Sequence, residues 1–159
     1  MTSQKSWHIS HWPPLAWLET IIKLIAIGLG ISAMIQAFGA GSIDLPSGLE
    51  LIQLAILVLL SLGLLVAIFD RFSDREIISM IFVVLNNLGH WGMVVALVTA
   101  VGAPLALFAG LMLLGDLVKI AFIRRYSFTV RDYSSSMLYG LTAIYILGYA
   151  AILLLEILK

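Results

Sequence analysis

Residues 104–125 read PLALFAGLMLLGDLVKIAFIRR, and this stretch decides how the chain folds. From Pro104 to Ile123 the only charges are Asp116 and Lys119, and the run stops at the pair Arg124-Arg125. At about 1.5 Å rise per residue, a helix of this length crosses a hydrocarbon core roughly 30 Å thick. Four more runs share its character: Leu15 to Phe38, Leu49 to Phe69, Ile77 to Thr99, and Met137 to Leu158. If all five cross, the N-terminus and the second and fourth connections share one side. That side collects Lys5, Lys23, Arg71, Arg75, Lys119, Arg124, Arg125 and Arg131, and leaves only Lys159 on the other. Lys/Arg bias in short loops sets orientation, so the N-terminus is expected in the cytoplasm and the C-terminus outside. The expected fold is all-α: an integral membrane protein of five transmembrane helices in a compact antiparallel bundle. The expected location is the cytoplasmic (inner) membrane of a bacterium.

Composition agrees. The chain is 62% hydrophobic and 11% charged, whereas soluble domains run about 45–50% apolar and 25% charged. The formal net charge of zero hides charges segregated by side rather than balanced locally. No basic tail or stripe is present, so no nucleic-acid partner is expected. The absence of cysteine removes disulfides, thiolate metal sites, Fe–S clusters and cysteine nucleophiles together.

Punctuation divides the chain into an interfacial segment, 1–14, and one transmembrane domain, 15–159, with helices expected at about 15–38, 48–69, 74–99, 104–123 and 136–158. Pro13-Pro14 opens the first helix. Ser47-Gly48-Leu49-Glu50 and Ser73-Asp74-Arg75-Glu76 have capping-box spacing before the second and third. Pro104 lies in the first turn of the fourth, and Ser134, Ser135 and Ser136 offer N-caps to the fifth. The segment 1–14 lacks a cleavage site after a short apolar run, so it does not read as a removable signal. Trp7, Trp12 and Trp17 suit a headgroup-level aromatic belt. His8 and His11 lack a third ligand, which makes a headgroup location a better account than a metal pair. Arg124, Arg125 and Arg131 either contact anionic lipid or simply enforce orientation.

Short connections predict that sequential helices lie side by side, with the third and fourth forming a tight hairpin. Small residues recur at three- and four-residue spacing: Ala26, Gly30, Ala33 and Ala37, beside Gly28 and Ser32, on the first helix, and Ala106 with Gly110 on the fourth. Such faces let backbones approach closely, within the chain or against another subunit.

Polar groups inside the spans carry the functional reading, because they are costly there. Ser79, Asn86 and His90 fall within about 40° on the third helix, with Asn87 beside them. Asp116 and Lys119 stand on neighbouring faces of the fourth. Counted from the turn near residue 101, Asn87 and Asp116 share a depth. On the fifth helix Tyr139, Thr142, Tyr145 and Tyr149 form a hydroxyl stripe. The candidate cluster is therefore Asn86, Asn87, His90, Asp116, Lys119 and Tyr145. It either holds helices together or binds a polar headgroup, a quinone carbonyl or a proton. Asp116 is expected to face the interior and to take a hydrogen bond from the third or fifth helix. Glu19 and Lys23 form a separate intrahelical pair.

Enzyme and cofactor readings find little. His90 is the only histidine well inside a span, so bis-His haem ligation within one chain is excluded. No Gly-rich phosphate loop, HExxH or serine elbow occurs. A bound lipid, quinone or pigment is the remaining cofactor class.

Two short resemblances complete the reading. Trp12-Pro13-Pro14-Leu15-Ala16-Trp17 resembles the Trp/Pro-rich stretch of the tryptophan-rich sensory proteins, but stands before the first helix rather than in that family's place. Leu49-Glu50-Leu51 resembles the entry to a span in the DoxX-like small membrane proteins, which have four helices rather than five. Neither transfers site residues. The expected function is a non-catalytic accessory or assembly subunit of a larger membrane complex. Its partners would be membrane lipids and other subunits or further copies. The alternative is a binding or transport protein for a small lipophilic or protonatable ligand.

Overall fold

Proline opens the first helix: Pro13 is the N-cap, extended at φ −68° and ψ 156°, and Pro14 occupies the first helical position, where its missing N–H has no partner to lose. The computed structural model describes residues 12–39, 43–73, 77–101, 104–126 and 134–159, with main chain only at 71, 73, 77–79 and 135. Trp7, His8, His11, Arg131, Lys5, Arg75 and the connection 74–76 lie outside the described residues, as do the side chains of Arg71 and Ser79.

Five helices result: α1 (Pro14–Phe38), α2 (Leu49–Ser73), α3 (Ile77–Val98), α4 (Leu105–Tyr126) and α5 (Ser135–Ile157). Each contains a stretch long and apolar enough to cross a membrane, and together they pack as a bundle. Ser134 caps α5, its Oγ accepting from the Met137 N–H at 3.2 Å. The α3 C-terminus closes with Ala100 at φ 50° and the Val101 N–H donating to the Ala96 carbonyl at 3.2 Å. This is the left-handed end usually given to glycine.

The helix neighbours form a closed ring in the order α1, α3, α2, α5, α4 and back to α1. Two sequential pairs, α2–α3 and α4–α5, lie side by side as expected. The third and fourth helices do not form the expected hairpin: α1 stands between them, and α1 packs on α3 and α4 instead of on α2. Chain length permits this. The six residues 99–104 can reach roughly 20 Å when extended, about twice a typical interaxial distance.

Contact geometry favours the arrangement. A Cβ at Gly30 would fall on the Gly89 carbonyl, and one at Gly92 on the Gly30 carbonyl, so α1 and α3 meet backbone to backbone. Gly115 on α4 leaves room for the Lys23 stem, since a Cβ there would stand 2.9 Å from Lys23 Cγ. Lipid is as apolar as leucine, so such van der Waals seams, rather than a hydrophobic drive, select neighbours inside a membrane. The stripe Ala26, Gly30, Ala33 and Ala37 is wholly buried. Gly28 and Ser32 point outward. At the ring's centre Leu57, Met93, Phe108, Met112 and Ile152 are fully buried and form an apolar layer.

Candidate functional site

Eight polar side chains are buried among the described residues: Lys23, Gln53, Ser61, Asn86, Asn87, His90, Asp116 and Thr142. Four of the six cluster residues expected from sequence are among them. Lys119 and Tyr145 are half-buried.

Asp116 faces the interior, at 4% exposure, but its donor comes from neither α3 nor α5. Lys23 Nζ on α1 donates to Asp116 Oδ1 at 2.6 Å and to Glu19 Oε1 at 2.7 Å. The hydrogen bond expected from the third or fifth helix is thus replaced by a three-residue ion network joining α1 and α4. The cause is the position of α1: with that helix between α3 and α4, the nearest cation at the depth of Asp116 belongs to α1. The buried Lys23 ammonium thus has carboxylate partners on two helices, and burying an ammonium demands partners of this kind.

His90 is completely buried and uses both ring nitrogens. Nδ1 is 2.8 Å from the Asn86 carbonyl, and Nε2 is 2.7 Å from the Tyr149 hydroxyl. A carbonyl only accepts, so Nδ1 carries the proton and donates; in the neutral ring Nε2 then accepts from Tyr149. Phe108 stands edge-on to the imidazole at 5.2 Å between ring centroids. Tyr145, expected to meet Asp116, instead donates to the Leu60 carbonyl on α2 at 3.1 Å, and its ring lies 6.2 Å from that of Tyr149.

Three buried oxygens in this part of the bundle have no hydrogen-bond partner: Asn86 Oδ1, Asn87 Oδ1 and Ser61 Oγ. Ile27 meets Gly89 and Gly30 meets both Gly89 and Gly92, so contacts advance together along α1 and α3. Lys23, one turn before Ile27, therefore stands level with Asn86, about one turn before Gly89. Buried acceptors without a protein partner are groups that ordered water or a donor can satisfy.

Two partners escaped the sequence reading. Tyr149 belongs to the hydroxyl stripe of the fifth helix, but the stripe does not say which of its hydroxyls meets His90. Lys23 was visible as a continuation of the small-residue stripe: one turn before Ala26 lies Lys23, and one turn before that, Glu19. Of the interfacial residues, Trp12 is half-buried and packs 5.4 Å from the exposed Trp17, while Arg124 and Arg125 are exposed. The Arg125 guanidinium lies 5.9 Å from the centroid of the Tyr126 ring. No set of three metal-ligating side chains occurs among the described residues. No protein family, characterised protein or solved structure matches this chain.

Proposed function

We propose that this chain is a non-catalytic membrane subunit that assists or assembles a larger membrane complex. In this reading it resides in the cytoplasmic membrane of a bacterium with its N-terminus inside, its C-terminus outside and successive helices antiparallel. One observation carries the proposal: the charged core groups are occupied by one another, while small-residue faces are left open on the outside. Lys23 is taken by Glu19 and Asp116, and both His90 nitrogens are bonded. Gly28 on α1 and Gly110 on α4 have nothing within 4 Å of a Cβ position, so another protein's helix could approach there closely. Purification in mild detergent followed by native mass measurement is the test. A co-purifying membrane protein or a defined oligomer is expected; a lone monomer would sink the proposal.

The unpaired Asn86 and Asn87 oxygens favour a second reading, binding of a lipophilic ligand that presents a hydrogen-bond donor. Mass analysis of solvent extracts separates the two. A stoichiometric lipid, quinone or pigment that is lost in Asn86→Leu would put ligand binding first.

A further inference from the structure

The bundle has a second polar centre, about 30 Å by helix rise from Arg124 and Arg125 at the opposite end of α4. A half-open pocket of about 470 Å³ lies there, between residues 44–47, the first turns of α2 and α4, and the last turns of α3 and α5. This volume falls within the range of small-molecule sites. Its floor is apolar, provided by Met93, Leu97 and Leu105, while Asp44, Glu50 and Glu156 supply three carboxylates against the single ammonium of Lys159.

We propose that this pocket binds a small amphipathic amine, a primary or secondary ammonium on a short apolar body. The chain's own ammonium already shows the convergence required: Lys159 Nζ is 2.8 Å from Glu156 Oε1 and 3.6 Å from Glu50 Oε1. Glu156 is held in place from behind by Gln53, whose Nε2 donates to it at 2.8 Å and to the Ile152 carbonyl at 3.2 Å. Gln53 is fully buried and its Oε1 has no partner. The frame is also fixed: the Asp44 N–H donates to the Val98 carbonyl at 2.7 Å and ties the connection to α3.

The lining discriminates among ligands. An anionic headgroup would meet three carboxylates. A quaternary ammonium has no N–H to donate and would need aromatic faces, and no described lining residue is aromatic. An ammonium with N–H donors satisfies the rim through charge-assisted bonds while its apolar body covers the floor.

The test uses the full chain in phosphatidylcholine nanodiscs, titrated with octylammonium and, as control, octanol, with the thermal unfolding midpoint as readout. Octylammonium should raise the midpoint saturably and octanol should not. Asp44→Asn combined with Glu50→Gln, both at exposed or half-exposed positions, should weaken the apparent Kd by about tenfold. Ala106→Trp, at the exposed mouth, should abolish the response. Lys159→Ala should act in the opposite direction, tightening binding by about threefold by freeing the carboxylates. Adding phosphatidylethanolamine to the discs identifies the source of the amine. A suppressed response assigns the site to a lipid-borne ammonium, and an unchanged one to a free amine. An octylammonium response no larger than that to octanol would overturn the proposal, as would variants that respond like the parent chain.

Discussion

At the scale of single residues, the Lys23 network makes an ordered set of predictions. Removing Lys23 leaves Asp116 and Glu19 facing each other without a cation in a buried site. Breaking a buried pair from that side should cost about 3–5 kcal/mol. Asp116→Leu is expected to be milder, about 1–3 kcal/mol, because Glu19 still neutralises the ammonium. Asp116→Asn should be milder again, since the amide oxygen still accepts from Lys23. The double variant Lys23→Met with Asp116→Leu should recover much of the loss, as replacing a buried pair by apolar side chains often does. Denaturant unfolding in detergent measures all four. Equal costs for Lys23→Met and Asp116→Leu would contradict the geometry described. The sequence made half of this site legible. That Asp116 must face inward followed from the cost of a carboxylate in lipid, and its depth relative to Asn87 from counting residues. Its partner did not follow, because depth fixes the level of a residue in the bundle and not the helix beside it. Tyr145 was misplaced for the same reason: its hydroxyl has the right depth but bonds the Leu60 carbonyl.

Among the helices, two glycines on α1 that look alike in sequence should behave oppositely. Gly30 lies against the Gly89 and Gly92 backbone, where neither side can yield by rotating a side chain. Gly30→Leu should separate α1 from α3 and prevent accumulation of folded protein. Gly28 has open space around it, so Gly28→Leu should fold with parental stability. If the outer face of α1 docks a partner, the same Gly28→Leu protein should lose that partner while keeping its unfolding midpoint. Size-exclusion profiles of the two variants, read beside their unfolding curves, separate these outcomes. The presence of the five helices was legible from the apolar runs, but α2 continues to Ser73, beyond the expected end at 69 and through the serine read as a cap for the third helix. The α5 cap at Ser134 and the Pro13-Pro14 start both appear where the punctuation puts them. The order of helices around the ring was not legible. Nothing local in the 99–104 connection reports that α1 occupies the place beside α3, and the Gly30–Gly89–Gly92 seam needed both helices in view at once.

For the whole molecule, orientation rests on fewer charges than the raw distribution implies. Lys23 is consumed inside the bundle by Glu19 and Asp116, and Lys119 stands half-buried within α4. In the proposed topology, the charges left to set orientation would be Lys5, Arg71, Arg75, Arg124, Arg125 and Arg131 on one side and Lys159 on the other. Six against one remains a strong bias for connections this short. A reporter active only in the cytoplasm should therefore work when fused to the N-terminus and stay silent at the C-terminus, with the reverse for one active only outside. Replacing Arg124 and Arg125 by Gln should leave that pattern intact, because four basic residues still hold the same side. Neutralising Arg71, Arg75 and Arg131 as well should produce mixed orientation, leaving Lys5 alone against Lys159. Lys23→Gln tests the distinction between interior and loop charge: it should lower stability through the ion network and leave the reporter pattern unchanged. Both termini in the cytoplasm in the parent chain would require an even number of crossings, and with it a helix that lies along the membrane instead of through it, whereas a cytoplasmic C-terminus with an outside N-terminus would mean the same five crossings inverted.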